Sequence, residues 1–248
     1  MKNPCDTRIY GNAVNIDSDA IRLFWNTKAQ QDSSLKAVLL GSDFASNSGI
    51  LRNERENKIL QSFVGTNPLS ILDIGCGIGR WAHNLQYQIK VYHGIDFSDE
   101  FVKAAGNTFK ENPNVQFFQM SATEIDTARL LPCYDLIIVT GVAMYINDDT
   151  ISRLFYFINQ LTNAASSVYF QESVSILPKR LTLKDFESVE LKSKYNAIYR
   201  TGEEYEMYFE RYLPDFHFEK EATRLLLDKD TGAREETNAR YWYLIRKK

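Results

Sequence analysis

The sequence contains little cysteine or histidine and has no excess of basic residues. Its 248 residues include three cysteines and three histidines, and 32 acidic side chains outnumber 29 basic ones, for a net charge of −3. Cys5, Cys76 and Cys133 form no C-x-x-C pair, which excludes a zinc cage or a disulfide scaffold and predicts no metal site. The acidic balance argues against a nucleic-acid partner, because such proteins usually carry a basic surface.

Long apolar runs are absent as well. No stretch approaches the ~18 apolar residues that cross a bilayer, and residues 1–12 lack the apolar region of a signal peptide. The hydrophobic fraction of 44% and the charged fraction of 25% are typical of a globular domain and exclude a disordered chain. We therefore expect a cytoplasmic protein with no membrane partner. Its oligomeric state is not specified by composition.

Strands and helices alternate through the middle of the chain, which predicts a doubly wound, mostly parallel α/β sheet. The carboxyl ends of parallel strands lie along one edge of such a sheet, where ligands bind. Two further strands near the C-terminus, around a turn at 230–232, predict that an antiparallel pair closes the sheet. The seven predicted strands are 69–75, 90–96, 115–120, 134–141, 167–173, 216–227 and 238–246.

Helical segments flank this alternation. Thr201 and Glu204 match a capping box and predict a helix that ends near residue 212. No linker or repeat divides the chain, so we expect one domain. Its four predicted parts are an N-terminal helical cap (1–66), a core (67–173), a lid insertion (174–213) and a closing hairpin (214–248).

A glycine-rich segment, DIGCGIGR at residues 73–80, lies between a predicted strand and a predicted helix. Glycines allow a sharp turn and a close backbone approach to a ligand, and a helix N-terminus offers free N–H groups. The second strand ends at Asp96, where a carboxylate is the usual partner of ribose hydroxyls. Phe97 follows directly and is placed to pack on an adenine ring. The pattern predicts a nucleotide-containing cofactor.

Three kinds of nucleotide site compete for this pattern. The dinucleotide fingerprint requires a glycine where Arg80 stands, and the G-K-S/T of a P-loop is absent. The third kind binds an adenosyl cofactor without a pyrophosphate. An ammonium group of such a cofactor lies near the loop, and Asp73 stands two residues before the first glycine.

At these residues the sequence resembles the class I S-adenosylmethionine-dependent methyltransferases, over about residues 67–173 and the closing hairpin. ILDIGCGIGR matches the glycine motif of that family, and HGIDFS matches its ribose-binding strand. Ser121 stands where the family often has aspartate. The resemblance implies S-adenosylmethionine (SAM) as cofactor and S-adenosylhomocysteine (SAH) as product. The predicted cofactor-binding residues are Trp25, Arg52, Asp73, Gly75, Cys76, Gly77, Gly79, Arg80, Asp96, Phe97, Met120, Ser121, Ala122, Thr140 and Gly141.

Four residues are the predicted catalytic and acceptor-side groups. Tyr145 follows the fourth strand, so the resemblance implies a position near the transferred methyl group. Glu172 ends the fifth strand, where it is either an acceptor-side carboxylate or a helix-dipole partner. Tyr199 and Arg200 precede the capping box, and an arginine there suits a phosphate or a carboxylate.

The resemblance implies methyl transfer to a small polar acceptor. Tyrosines together with Arg200 favour an oxygen on a sugar-like, phosphorylated or natural-product molecule, so the expected partner is a small molecule or a glycan. One alternative is a small-molecule N-methyltransferase. The other is a SAM-binding regulatory or scaffold protein without transfer activity, because the glycine loop and Asp96 argue for binding alone.

Overall fold

The computed structural model describes residues 7–32, 34, 38, 48–188, 191, 193–218, 224–226 and 238–247. The strands are β1 (Arg8–Tyr10), β2 (Leu69–Ile74), β3 (Ile89–Asp96), β4 (Val115–Gln119), β5 (Tyr134–Thr140), β6 (Thr162–Ser175), β7 (Leu181–Ser188), β8 (Ser193–Tyr199), β9 (Phe216–Phe218), β10 (Arg224–Leu226) and β11 (Asn238–Lys247). The helices are α1 (Ser18–Gln31), α2 (Ser48–Val64), α3 (Arg80–Asn84), α4 (Asp99–Thr108), α5 (Ile151–Gln160) and α6 (Gly202–Tyr212).

The central sheet has the strand order β4-β3-β2-β5-β6-β11, and both β9 and β10 pair with β11. β2 to β6 are parallel, whereas β11 runs antiparallel to β6 and to its two short partners. This topology confirms the predicted doubly wound sheet with an antiparallel closing pair. The carboxyl ends of β2, β3 and β5 therefore meet at one edge, next to the glycine loop.

The core of the molecule lies between this sheet and its helices. α5 buries four apolar residues on one face, Ile151, Leu154, Phe155 and Ile158, as its 3.6-residue pattern predicts. Full burial of such a side chain contributes roughly 1.5–3 kcal/mol to folding. This packing gives the rigid support on which the ligand edge rests.

The N-terminal cap begins with α1. The carboxylate of Asp17 accepts hydrogen bonds from the backbone N–H groups of Asp19 and Ala20, which fixes the start of this helix. α2 begins at Ser48 and ends at Val64, within the predicted helical cap. Among the helices of the described ranges, none has the length and apolarity needed to span a membrane.

The lid insertion differs from the predicted polar segment followed by a helix. The strands β7 (Leu181–Ser188) and β8 (Ser193–Tyr199) pair antiparallel, and β1 adds a third antiparallel strand beside β7. The helix of the insertion is present as α6, and its N-terminus has the predicted capping box of Thr201 and Glu204. The insertion is therefore a small sheet joined to a helix.

The tail also differs from prediction in one respect. The long strand expected at 216–227 is present as the two short strands β9 and β10. The predicted turn at 230–232 and Cys5 lie outside the described residues.

Candidate functional site

A cavity of about 570 Å³ opens at the carboxyl ends of β2, β3 and β5 and extends to the small sheet. Fifteen of the predicted site residues line it, and four do not: Asp73, Gly79, Glu172 and Arg200. The residues that line it are Trp25, Arg52, Gly75, Cys76, Gly77, Arg80, Asp96, Phe97, Met120, Ser121, Ala122, Thr140, Gly141, Tyr145 and Tyr199. The roles assigned to them stay predictions.

The glycine loop is shaped by its backbone and by its neighbours. Gly75 has a φ of 75°, and a Cβ atom there would lie 2.2 Å from Cγ2 of Val142. Gly79 has a φ of 80°, and its Cβ atom would lie 2.9 Å from the Phe117 ring. Gly75 therefore lets the backbone border the cavity, whereas Gly79 does not line it and serves the packing beneath the loop.

Asp96 lies at the end of β3 and faces the cavity. Its two carboxylate oxygens accept hydrogen bonds from the backbone N–H groups of Gly77 and Ser98, both at 2.9 Å. A carboxylate has about four acceptor positions, so it retains acceptor capacity for a ligand diol. Burial raises the pKa of Asp96 to about 6, although the backbone hydrogen bonds oppose this rise.

Asp73 is fully buried below the loop and does not reach the cavity. One of its oxygens accepts a hydrogen bond from the Tyr92 hydroxyl, and the other has no hydrogen-bond partner. Burial raises the pKa of Asp73 to about 7, and the Tyr92 hydrogen bond only partly offsets this. The predicted contact between Asp73 and a cofactor ammonium group conflicts with this placement.

A buried charge cluster lines the cavity beside Trp81. The carboxylate of Glu56, which is 3% exposed, lies 2.6 Å from Nη1 of Arg80 and 3.7 Å from Nε of Arg52. Gln171 donates a hydrogen bond to the same carboxylate, at 2.6 Å. One carboxylate beside two guanidinium groups offers charges of both signs, which matches the ammonium and carboxylate of an amino-acid zwitterion.

The opposite end of the cavity is suited to a flat base. Phe97 follows Asp96 and packs in an apolar cluster with Trp25, and Met120 is tied to β3 through a backbone hydrogen bond to Asp96 O at 2.9 Å. The hydroxyl of Ser121 lies 3.0 Å from that of Thr123. This end of the cavity is therefore lined by the apolar side chains of Phe97 and Met120 and by the hydroxyls of Ser121 and Thr123.

Aromatic residues from three elements meet on the other side of the cavity. The hydroxyls of Tyr145 and Tyr195 lie 2.8 Å apart. The ring of Trp25 in α1 meets the edge of the Tyr145 ring at a centroid distance of 5.6 Å. Tyr199 lines the same side and is 8% exposed. The cap, the turn after β5 and the small sheet together enclose this part of the cavity.

Glu172 does not face the cavity. Its carboxylate accepts hydrogen bonds from the backbone N–H groups of Val142 and Ala143, both at 2.8 Å, and of Met144 at 3.4 Å. These N–H groups begin the short helical turn Ala143–Tyr145. The structure therefore places Glu172 as the partner of a helix N-terminus, and the predicted acceptor-side role conflicts with its contacts.

Arg200 is fully buried and does not face the cavity either. Its guanidinium donates hydrogen bonds to the carbonyl oxygens of Ala143 and Ile146, both at 2.8 Å, and to Asp148 Oδ1 at 2.6 Å. Burial alone would lower the pKa of Arg200, but Tyr205 and Asp148 raise it, so the group stays charged. The predicted contact of Arg200 with an acceptor phosphate conflicts with these bonds.

Several lining residues were missed by sequence reasoning, among them Glu56 and Trp81. Glu56 stands four residues after Arg52 in α2, a spacing that indicates an ion pair on one helix face. Trp81 donates a hydrogen bond from Nε1 to Oγ1 of Thr140 at 3.0 Å, and no local signal distinguishes it from a core aromatic residue. Tyr195 precedes the capping box, as Tyr199 does, and it lines the cavity from β8.

Part of the chain is similar in sequence to known methyltransferases. Residues 71–164 match the family model described as "Methyltransferase domain". The chain is 26% identical over 140 residues to phosphoethanolamine N-methyltransferase 1 from Zea mays. The aligned segment covers 56% of this chain and 27% of that relative. The chain thus spans between a quarter and a third of the length of the curated relatives it matches.

Solved structures share the fold over nearly the whole chain. The 1,6-didemethyltoxoflavin-N1-methyltransferase from Burkholderia thailandensis has a TM-score of 0.66 and 13% identity, covering 97% of this chain and 95% of that one. A SAM-dependent methyltransferase from Leishmania major has a TM-score of 0.64 and 19% identity, covering 98% and 99% of the two chains.

Fold and site together define an α/β domain for an adenosyl ligand, with a glycine loop after β2 and a carboxylate at the end of β3. Residues 71–164 match the methyltransferase domain, and the sheet topology of the chain is the fold of S-adenosylmethionine-dependent methyltransferases of known structure.

Proposed function

We propose that this protein transfers a methyl group from SAM to a small molecule that binds between the turn after β5 and the small sheet. The observation that carries the proposal is the position of Asp96. Its carboxylate faces the cavity at the end of β3 and retains acceptor capacity beside the glycine loop. A ribose diol offers two donors to such a group.

The cavity fits the other parts of the cofactor. Phe97 and Met120 border the space for the adenine, and Arg52, Glu56 and Arg80 supply charges of both signs for the methionyl end. Gly75 leaves the cavity open where a Cβ atom would meet Val142. When bound, SAM would supply a methyl group on its sulfonium sulfur. The lone pair of an acceptor attacks the methyl carbon in line, the bond from carbon to sulfur breaks, and SAH leaves.

The protein contributes positioning and exclusion of water. Glu172 and Arg200 fix the turn that carries Tyr145, and α1 covers the cavity through Trp25. Such positioning removes much of the entropic barrier of a two-reactant step. The Tyr145–Tyr195 pair offers a hydroxyl that can orient an acceptor oxygen or nitrogen.

An oxygen acceptor remains our proposal, and a nitrogen acceptor is the second candidate. The tyrosine hydroxyls favour a hydroxyl-bearing acceptor, which they can orient through hydrogen bonds. The name of the Zea mays relative, phosphoethanolamine N-methyltransferase, supports the second candidate. Arg200 gives no support to a phosphorylated acceptor, since its hydrogen bonds are internal.

Binding of SAH by calorimetry tests the cofactor site. Asp96→Ala removes the partner of the ribose diol and is expected to weaken binding by about 1–3 kcal/mol. Asp215→Ala, which removes an exposed carboxylate, is the matched control and is expected to leave the affinity unchanged. An equal affinity of the Asp96→Ala variant and the native protein would contradict the ribose assignment.

Transfer of labelled methyl from SAM to a fractionated cell lysate tests the activity. Label in the small-molecule fraction supports the proposal and shows whether oxygen or nitrogen is methylated. Tight SAH binding with no label in any fraction would favour the alternative of a binding protein without transfer activity.

A further inference from the structure

We propose that the acceptor is an uncharged molecule with an apolar ring that carries a single hydroxyl or neutral amine. The inference rests on the proposed function and concerns the acceptor side of the same cavity. The relevant surface belongs to the three-stranded sheet β1–β7–β8 and faces the cavity.

One face of the β7–β8 hairpin is apolar along most of its length. In the antiparallel register, Leu181 pairs with Tyr199, Leu183 with Ala197 and Phe186 with Tyr195. Side chains of directly paired residues point to the same side of a sheet. These residues form one apolar cluster with Met144 from the turn after β5. Four of the six paired residues, Leu183, Phe186, Tyr195 and Tyr199, line the cavity and give its acceptor side an apolar wall.

A β-bulge brings Phe186 into this wall. Leu183 and Phe186 are three residues apart and would point to opposite sides of a regular strand. Between their pairs, β7 has two residues where β8 has only Asn196. Asp185 takes a φ of 52°, and its N–H donates a hydrogen bond to the side chain of Asn196 at 2.9 Å. The bulge restores the alternation and turns Phe186 to the cavity.

The ionised groups near this wall are neutralised by one another. Asp148 is bound by both Arg180 and Arg200, and Arg180 also binds Glu204, with 2.5 Å between Nη2 and Oε1. None of these four residues lines the cavity. Of the described lining residues on β7, β8 and the turn 142–147, none carries an ionised side chain.

Arg22 of α1 also lines the cavity, but it is exposed to solvent. The wall formed by β7, β8 and the turn 142–147 therefore favours an uncharged acceptor. Moving a phosphate from water to such a surface without a cation costs several kcal/mol, whereas an apolar ring gains free energy by its burial. The hydroxyls of Tyr145 and Tyr195 lie 2.8 Å apart in this wall, and such a pair suits one hydroxyl or amine group. The other polar side chains on these elements, Ser188, Tyr199 and Asn147, are uncharged. An aromatic or alicyclic acceptor with one neutral nucleophile fits both properties.

A matched pair of probes tests the proposal on the SAH-loaded protein. 2-Naphthol and 2-naphthyl phosphate share a ring and differ in charge, and calorimetry measures both dissociation constants. We expect 2-naphthol to bind at least about tenfold more tightly than its phosphate. Tighter binding of 2-naphthyl phosphate or of phosphoethanolamine would overturn the proposal, and so would binding of none of the three.

Variants of the wall locate the binding. Phe186→Ala is expected to raise the dissociation constant of 2-naphthol about tenfold and to leave SAH affinity unchanged. Glu187→Ala, the exposed next residue on the opposite face, is the control and should change neither constant. Leu183→Ala has the same expected effect and serves if Phe186→Ala fails to fold. An unchanged 2-naphthol constant in the folded wall variant would refute the proposed place of binding.

The two proposals fail in different ways. If the native protein did not bind SAH, the proposed function itself would be contradicted. Normal SAH binding, with a preference for the phosphorylated probes, would contradict only the acceptor class.

Discussion

At the scale of single residues, the buried carboxyl group of Asp73 makes the stability of the fold depend on pH. Its carboxyl is fully buried, and one oxygen has no hydrogen-bond partner. Its pKa is raised from 3.8 to about 7, so the folded state binds a proton that the unfolded state releases near pH 4. The stability from this proton is present below pH 4 and is lost as the pH rises through 7.

Asp73→Asn removes this titration. The amide oxygen can still accept the hydrogen bond from the Tyr92 hydroxyl, so we expect similar melting temperatures of variant and native protein at pH 5. At pH 8 the variant should melt several degrees higher, because it carries no buried negative charge.

Thermal unfolding at the two pH values measures this difference. Asp215→Asn replaces an exposed carboxylate and should show no such divergence. The difference in melting temperature between the native protein and the Asp73→Asn variant is the decisive quantity. If it is the same at pH 5 and at pH 8, Asp73 does not titrate in this range.

Single residues also show how far the sequence predicts the site. Asp96, Gly75 and Gly77 line the cavity as predicted, because a strand end and a glycine run fix their places locally. Glu172 is predicted on the acceptor side because it ends a strand on the ligand edge, and Arg200 because it precedes the capping box in the lid insertion. Whether such a side chain points into the cavity depends on the neighbouring turn, whose N–H and C=O groups it binds here. That turn's conformation is not encoded near either residue.

At the scale of elements, the turn 142–147 is held from both ends. Glu172 accepts from its first N–H groups, and Arg200 donates to its later carbonyl groups. Negative charge at the N-terminus of a helical turn and positive charge at its C-terminus both favour the aligned peptide dipoles. Tyr145 therefore receives a fixed position from residues that do not touch a ligand.

Arg200→Ala is expected to destabilise the protein by about 3–5 kcal/mol, because it leaves Asp148 with one fewer buried partner and removes the side-chain hydrogen bonds to the carbonyl groups of Ala143 and Ile146. Urea unfolding measures the change in free energy. Arg211→Ala removes an exposed arginine near the end of α6 and should cost less than about 1 kcal/mol. A stable Arg200→Ala variant with a raised acceptor KM would instead return Arg200 to the acceptor site.

The small sheet is the element that sequence reasoning missed. In β7, the bulge at Lys184 and Asp185 interrupts the alternation of apolar and polar residues that indicates a strand. β1 is only three residues long and pairs with a strand more than 170 positions away. By contrast, α6 was predicted because its capping box lies within four residues. Local signals were recovered, and the long-range pairing was not.

At the scale of the whole molecule, the N-terminal cap is fastened to the ligand edge. The side chain of Asn147 donates a hydrogen bond to the carbonyl of Ile16 at 3.0 Å and accepts one from its N–H at 2.8 Å. Trp25 packs against both Tyr145 and Phe101. The cap thus covers the cavity between the turn after β5 and helix α4.

This arrangement predicts that Asn147 controls the escape of bound cofactor product. Asn147→Ala removes both hydrogen bonds to Ile16, whose combined contribution is about 1–3 kcal/mol. If the cap must lift before SAH leaves, the dissociation rate should rise about tenfold, while the association rate changes less. Trp25 and Trp81 line the cavity, so stopped-flow tryptophan fluorescence can follow the release.

Asn15→Ala gives the matched control. Asn15 belongs to the same segment, but its side chain forms an exposed hydrogen bond with Asp149 at 3.1 Å and does not border the cavity. The release rate of this variant should stay close to that of the native protein. Equal rates for Asn147→Ala and Asn15→Ala would mean that SAH leaves without moving the cap, so the cavity mouth would have to lie on a side that the Ile16–Asn147 contact does not close.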